Sequence, residues 1–313
     1  MPKDVGEGEV GNGMEGELED GAVPATERKF LASFDIEDWF HAENVRGSLP
    51  THDWDQLESR LEPNVHELLD ILAAAQARST FFVLGWVADR FPGVVRRIVD
   101  EGHEVASHTY LHRNLNQLPP DEVREELRRS KDRLEQVAGS EVRGVRAPNF
   151  SISDVVLDLI AEAGYRYDSS YFGFEQHDRY GKLSVAIPPG EPVTEVRPGL
   201  LEIQMTRVAI ATAQVPWAGG AYFRLIPYPV FRWGVARHLR SNPWFTFYFH
   251  PWELDPDEVP PSGMPRTLRF RAYTGRRRTR RDLRRILVEF GSSRIDEALR
   301  GLGYLRSGGA ETA

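Results

Sequence analysis

The 313-residue sequence contains no cysteine. Disulfide bonds, thiolate metal sites and cysteine nucleophiles are therefore excluded. The N-terminus lacks the basic and then apolar pattern of a secretory signal, and no apolar run approaches the roughly 18–20 residues of a membrane-spanning helix. The resulting expectation is a cytoplasmic protein without a transmembrane segment.

Lysine is scarce, with four residues against 35 arginines, and the net charge of −8 is unevenly distributed. Residues 1–28 carry eight acidic side chains against Lys3 and Arg28, whereas the rest of the chain is only slightly acidic. This opening stretch is rich in glycine and has too little apolar surface to offset the entropy of ordering. It is predicted to be a disordered acidic tail, and residues 307–313 are predicted to be a second flexible tail.

The rest of the sequence alternates short apolar runs with amphipathic segments. Strands are predicted at residues 30–36, 79–85, 103–108 and 142–146, and helices near residues 63–72, 94–99, 119–137 and 152–163. Less regular strands follow at residues 193–196, 201–210 and 245–249. Strands that alternate with helices indicate an α/β fold with a parallel sheet, which can close into a barrel. In such folds, active sites lie where the strands end.

The first predicted strand ends in three carboxylates, Asp35, Glu37 and Asp38. Such close carboxylates repel one another unless a cation or a shared proton relieves them. Alternation places Asp35 and Glu37 on one face if the strand continues, whereas a turn would bring Asp38 inward. A solvated acidic turn is the alternative.

Two histidines, His108 and His112, follow the third predicted strand. Histidines four residues apart on a helix or tight loop can hold one divalent metal ion. An incidental pair is the commoner case for this spacing alone, but the position directly after a strand favours a metal site.

The fourth predicted strand ends at Arg146, which is followed by Ala147 and Pro148. An arginine at this place could bind a carboxylate with two hydrogen bonds and hold its orientation. The proline would fix the turn, so that the N–H groups after it could face a developing oxyanion. Alone, this short motif is also common in ordinary loops.

A very apolar segment, 245–249, leads to His250 and then to Pro251 and Trp252. A histidine at such a partly desolvated corner can act as a general acid near neutral pH. A buried structural histidine explains this segment equally well in isolation.

Together, the four motifs resemble those of the polysaccharide deacetylases of carbohydrate esterase family four, in the same order over residues 30–255. The flanking residues are similar to a branch found with bacterial exopolysaccharide biosynthesis clusters, close to peptidoglycan-deacetylase-like and allantoinase-like members. The resemblance implies an α/β fold with a distorted parallel (β/α) barrel. It also implies a catalytic domain over residues 29–258 and a C-terminal extension over residues 259–306 that packs on it.

Residue by residue, the resemblance implies that Asp35 is the general base, that Arg146 orients it, and that His250 is the general acid. It makes His108 and His112 metal ligands. The implied reaction is the hydrolysis of acetamide groups on N-acetylated sugars of a polysaccharide.

The third metal ligand departs from the common family pattern of two adjacent aspartates, because Ile36 follows Asp35 here. Either Glu37 or Asp38 must supply the carboxylate, and strand alternation favours Glu37 without deciding the choice. Two histidines and one carboxylate suit Zn²⁺, and Co²⁺ or Ni²⁺ would fit the same donors.

Four residues are candidates for contact with the sugar. The N–H after Pro148 would face the oxyanion, although Asn149 stands where the family usually has tyrosine. Trp39 and Trp252 adjoin motif residues and could form aromatic platforms, whereas an aromatic residue is more often part of a core.

Ten arginines lie from Arg266 to Arg285, opposed only by Asp282. This cluster could bind an anionic partner, such as a polysaccharide, a lipid-diphosphate carrier or a membrane surface. A solvated helical face is the alternative.

Two other functions compete with polysaccharide deacetylation. One is an allantoinase-like amidohydrolase that opens a small cyclic amide. The other is a non-catalytic protein that binds carbohydrate or nucleic acid through the arginine cluster, which the complete set of motif residues argues against. A nucleic-acid partner is not expected, because the body of the protein is slightly acidic.

Overall fold

The computed structural model describes residues 24, 28–41, 49, 51–173, 183–188, 191–258, 260 and 264–305. The two predicted tails fall outside these residues, apart from residues 24 and 28. The strands are β1 (Lys29–Ile36), β2 (Thr80–Val83), β3 (Glu104–Ser107), β4 (Gly144–Val145), β5 (Tyr167–Asp168), β6 (Val193–Arg197), β7 (Leu200–Ile203), β8 (Arg207–Ile210), β9 (Ala213–Pro216) and β10 (Trp244–Phe249).

Helices follow most of the strands. They are α1 (Leu61–Ala74), α2 (Gly85–Arg90), α3 (Pro92–Asp100), α4 (Pro120–Ala138), α5 (Asp154–Glu162), α6 (Gly220–Leu225), α7 (Tyr228–Ser241), α8 (Arg266–Tyr273), α9 (Arg276–Phe290) and α10 (Ile295–Gly301). No helix in the described part of the chain is both long enough and apolar enough to cross a membrane.

One sheet holds eight of the strands, in the order β10-β1-β2-β3-β4-β5-β7-β6. Its neighbouring strands are parallel, except β6 with β7. This curled half-barrel confirms the predicted α/β fold with a distorted parallel barrel. The predicted strand 201–210 is two strands, because the chain leaves the sheet after β7 and pairs β8 with β9 in a separate hairpin.

The outer face of the sheet is covered by the predicted helices. In α1 the apolar positions Val65, Leu68, Leu69 and Leu72 are all buried, which confirms the predicted amphipathic face. Helices α3, α4 and α5 also lie where the sequence predicts them. Neither α6 nor α7 was predicted from the sequence, and the arginine cluster forms two helices, α8 and α9.

The inner face of the sheet differs between its two ends. Near the amino ends of the strands, Leu31, Phe82 and Ala106 pack with Ile295 and Leu299 of α10 in a separate buried cluster. Helix α10 therefore closes that end of the half-barrel. The polar side chains at the carboxyl ends of the strands are left to form the walls of a cavity.

Candidate active site

A cavity of about 140 Å³ lies at the carboxyl ends of the strands. Its walls combine residues of all four sequence motifs with the later helices α6 and α8. The lining side chains of the motifs are Asp35, Glu37, His108, His112, Arg146, Asn149, Phe150, Tyr248, His250 and Trp252.

Asp35 is a buried residue near the end of β1, and Arg146 from the end of β4 contacts it directly. Arg146 Nη1 donates to Asp35 Oδ1 at 2.6 Å, while its other N–H groups donate to the carbonyl and the hydroxyl of Ser169. Burial alone would raise the pKa of Asp35, but the cationic Arg146, with His108 and His250, outweighs burial and lowers it. Asp35 is therefore held as an oriented carboxylate.

Glu37, His108 and His112 form a buried cluster in which the possible ligand atoms all lie within 4.8 Å of one another. Glu37 Oε2 is 3.1 Å from His112 Nε2 and has no hydrogen-bond partner among the described residues. His108 Nδ1 donates to the carbonyl of Arg146 at 2.8 Å, which leaves its Nε2 as the ligand atom. Burial lowers the pKa of His108 and favours the neutral, metal-binding form. Two imidazoles and a carboxylate with an unsatisfied oxygen fit a divalent metal ion.

The loop that carries the two histidines is bent tightly and fixed from α4. Thr109 and His112 have φ angles of 64° and 53°. These lie in the left-handed region, which residues other than glycine adopt only when their surroundings impose it. Glu126 accepts hydrogen bonds from the N–H groups of Tyr110 and Leu111, and Ser130 donates to the carbonyl of Thr109. The histidine pair therefore lies on a rigid loop rather than on a helix.

Asp38 faces away from this cluster. Its carboxylate accepts hydrogen bonds from the Ser59 hydroxyl at 2.6 Å and from the N–H groups of Trp39 and Arg60. Of the two acids that the sequence left open, Glu37 faces the histidines. Asp38 instead links the segment after β1 to the segment before α1 through its hydrogen bonds.

His250 lines the same cavity as Arg146, and its orientation depends on two residues that were not predicted from the sequence. Its Nδ1 is 2.9 Å from Glu253 Oε1, and Arg224 Nε donates to Glu253 Oε2 at 2.6 Å. His250 Nε2 lies 2.9 Å from Glu37 Oε1 and 3.9 Å from Asp35 Oδ2. Burial alone would lower the pKa of His250, but the two glutamates outweigh it and raise the pKa to about 10.

The position of Glu253 was visible in the sequence, because it follows His250 by three residues and one turn of 3-10 helix brings them together. Arg224 gave no such signal, since it reaches Glu253 from α6. A Cβ at Gly220 would collide with the Glu253 carboxylate, so the glycine allows α6 to approach this closely.

The predicted sugar-contacting residues divide into two groups. Asn149 and Trp252 line the cavity, and Trp252 stacks on the His250 ring with the ring centroids 5.0 Å apart. Pro148 is buried beside Asn149, which has a positive φ of 58°. Among the described residues, Trp39 lies outside the cavity walls and donates its indole N–H to the carbonyl of Glu58.

Comparison with known families divides the chain in two. The polysaccharide deacetylase family model matches residues 52–167, and a domain of unknown function (DUF3473) matches residues 169–300. The first match includes the histidine pair and Arg146, the second includes His250, and Asp35 precedes both.

Individual relatives match the first part of the chain. The peptidoglycan-N-acetylglucosamine deacetylase of Bacillus cereus is 34% identical over 99 residues, which are 32% of this chain and 36% of that protein. A chitooligosaccharide deacetylase of Sinorhizobium fredii is 37% identical over 99 residues, which are 31% of this chain and 46% of that protein. The chain thus spans less than half the length of these two relatives.

A solved structure extends the likeness of fold to most of the chain. The crystal structure of a Mycobacterium smegmatis protein, described as a candidate polysaccharide deacetylase, has a TM-score of 0.59 at 22% identity over 94% of this chain and 98% of that one. This likeness shows a common fold. Residues 52–167 match the polysaccharide deacetylase family model, which confirms the predicted resemblance for that part of the chain.

Proposed function

We propose that this protein is a metal-dependent deacetylase that hydrolyses acetamide groups on N-acetylated sugars of a polysaccharide. The observation that carries the proposal is the convergence of three groups on one cavity. These are the Asp35–Arg146 ion pair, the cluster of Glu37, His108 and His112, and His250 beside them. The activities for which the two bacterial relatives are named support this reaction class.

The cluster of Glu37, His108 and His112 would hold the metal ion, with Zn²⁺ as the first candidate and Co²⁺ or Ni²⁺ as alternatives. When bound, such an ion supplies Lewis acidity to the acetamide carbonyl and lowers the pKa of water. The buried carboxylate of Glu37 would offset part of the cation's charge.

The proton transfers are assigned to Asp35 and His250. Asp35, held ionised and in place by Arg146, accepts a proton from the water that attacks the acetamide carbon. The C–N bond then breaks, and His250 Nε2 gives a proton to the leaving amine nitrogen, which is a poor leaving group without it. Glu253 fixes the His250 ring through Nδ1, so that Nε2 is the nitrogen that faces the cavity. The products are acetate and the free amino sugar.

Acetate release from N-acetylglucosamine oligomers tests the proposal. The protein is stripped of metal with a chelator, assayed, and assayed again after Zn²⁺ or Co²⁺ is restored. Deacetylation that disappears and returns with the metal supports the proposed reaction. If no oligomer releases acetate and small cyclic amides are opened instead, the allantoinase-like function replaces the proposed deacetylase function.

We place the reaction in exopolysaccharide or cell-wall glycan metabolism, which the flanking residues of the motifs and the peptidoglycan deacetylase among the relatives support. The cytoplasmic location stays a prediction from the sequence.

A further inference from the structure

The arginines from Arg266 to Arg285 form two groups that differ in their ion pairs, one in α9 and one in α8. In α9, five arginines have acidic partners within the protein. Arg276 pairs with Glu258, Arg280 with Glu67, and Arg278, Arg281 and Arg285 all lie within 4.0 Å of Asp282. Five of the seven arginines of α9 therefore have an acidic partner, although three of them share Asp282.

Helix α8 has no such neutralisation. Its sequence, Arg266–Tyr273, contains three arginines and no acidic residue, and none of its side chains is buried. Within the described part of the chain, Arg266, Arg269 and Arg271 have no ion pair, and Phe270 between them is 61% exposed.

Helix α8 is nevertheless held in a fixed place. Arg224, the residue that orients Glu253, also donates to the carbonyl oxygens of Arg271 and Thr274. Tyr273 donates to Glu258 at 2.8 Å. The same arginine therefore connects the general-acid side of the active site with the backbone at the end of α8.

This connection places one turn of α8 in the cavity wall. Leu268, Arg271 and Ala272 line the same cavity as Asp35 and His250. The other two arginines of this wall, Arg146 and Arg224, are paired with Asp35 and Glu253. Among the described residues that line the cavity, Arg271 is the arginine without a carboxylate.

We infer that the substrate of this cavity is an anionic glycan, in which a carboxylate or phosphate group near the N-acetylated sugar binds Arg271. The inference rests on the proposed function and narrows its substrate class. An arginine at the cavity wall can bind either anion with two hydrogen bonds, which a neutral glycan does not offer. Arg266 and Arg269 lie on another face of α8, by helical spacing, and add to the positive potential around the entrance.

Binding to matched oligosaccharides tests the inference without relying on turnover. Isothermal titration calorimetry on the full-length, zinc-loaded protein compares a hyaluronan hexasaccharide, which carries glucuronate carboxylates, with its neutral carboxyl-reduced form. A second pair compares N-acetylglucosamine 1-phosphate with methyl N-acetylglucosaminide. At low salt we expect the anionic member of at least one pair to bind about fivefold more tightly, and we expect 0.5 M salt to remove most of the difference.

Two variants sharpen the test. Arg271→Gln should reduce the anionic-to-neutral affinity ratio toward one. Arg284→Gln should leave the ratio unchanged, because it removes an arginine of α9 that is also exposed, has no ion pair with the residues that the structure describes, and does not line the cavity. A ratio near one for both pairs in the unaltered protein, or an equal loss in the two variants, would overturn the inference.

Acetate release on the same oligosaccharides separates this inference from the proposed function. Tighter binding of an anionic member without any deacetylation would support the anion site and contradict the deacetylase. Deacetylation without preference for the anionic members would support the deacetylase and overturn the anion site. If only the phosphate pair shows the preference, the inference stands with phosphate as the recognised group.

Discussion

Buried ionisable side chains lie at both ends of strand β3. Those at the amino end have hydrogen-bond or ion-pair partners within the chain, whereas those at the carboxyl end line the cavity. Glu104 begins the strand and His108 follows its end. Because side chains alternate, both face the inside of the half-barrel, with Ala106 between them. Both side chains are buried and ionisable, yet their surroundings differ.

At the amino end, the charges are satisfied within the chain. The Thr80 hydroxyl donates to Glu104 Oε2 at 2.6 Å, and the N–H of Asp296 donates to the same oxygen. Arg294 binds both oxygens of Asp296, and Arg300 contacts it as well. Burial and the nearby Asp296 raise the pKa of Glu104 to about 7, so a proton neutralises it over part of the pH range. This cluster fastens α10 to the sheet.

At the carboxyl end, the cluster is incomplete by itself. Asp35 has Arg146 as its counterion and Glu37 Oε1 lies 2.9 Å from His250, while Glu37, His108 and His112 place possible ligand atoms within 4.8 Å of one another. A buried carboxylate oxygen without a hydrogen-bond partner in the described part of the chain, Glu37 Oε2, lies among these atoms, and a divalent cation would satisfy it. The two ends therefore differ in whether the described residues themselves satisfy the buried polar atoms, and the proposed metal site lies at the end where they do not.

The largest expected effect on turnover follows from Asp35→Asn, which keeps the shape of the side chain and removes the base. We expect kcat for acetate release to fall by about 10³-fold, within the range for general acid–base catalysis. Metal content by inductively coupled plasma spectrometry should stay at one ion per chain. Full activity in this variant would contradict the assignment of the base.

Substitutions of the two acids after Asp35 should have different effects on Zn²⁺ affinity. Glu37→Gln should weaken Zn²⁺ affinity by more than about 100-fold, since changes merely next to a ligand already cost 10–100-fold. Asp38→Asn should keep the affinity, because its carboxylate bonds to Ser59 and to backbone N–H groups. Competition with a chromogenic chelator measures both constants. The opposite ranking would make Asp38 the ligand.

Glu253→Gln should lower kcat by about 10- to 100-fold, because the orientation of His250 is lost. It should also reduce the free energy of unfolding by about 3 kcal/mol, since Arg224 is left buried and unpaired. The double variant Glu253→Gln, Arg224→Met removes both charges and should recover stability but not turnover. If turnover also recovers, Glu253 is structural. Urea unfolding and acetate release are the two measurements.

Glu104→Gln should have the smallest effect on turnover and a distinct effect on stability. A carboxyl whose pKa rises on folding, from 4.5 to about 7 here, stabilises the fold fully below about pH 4.5. That stabilisation is lost as the pH rises toward 7, by up to about 3 kcal/mol. Urea unfolding at pH 4.5 and 7 should show this loss in the unaltered protein and a flatter profile in Glu104→Gln. An equal change in the free energy of unfolding between the two pH values in both proteins would contradict this role of Glu104.

Much of the structure in the first half of the chain could be predicted from the sequence. Apolar runs locate β1, β2 and β3, and the polar residues that end them mark the edge where parallel strands meet. The choice between Glu37 and Asp38 could not be made, because it depends on how the backbone turns after Ile36. Helices α6 and α7 were missed, since aromatic, glycine and arginine residues obscure their periodicity.

Long-range pairs were also beyond the sequence. Nothing near Arg224 indicates Glu253 as its partner, and nothing in the arginine cluster indicates that Glu67 and Glu258 neutralise part of α9 but none of α8. These pairings exist only because the fold brings distant segments together. They decide which charges remain available for a ligand.

Anomalous X-ray diffraction at the zinc absorption edge, on crystals grown with Zn²⁺, tests the central claim most directly. The account predicts one peak about 2.0–2.2 Å from an oxygen of Glu37 and from one ring nitrogen each of His108 and His112. Strong peaks elsewhere with none in this cluster, or a peak bound by Asp38 in place of Glu37, would contradict it.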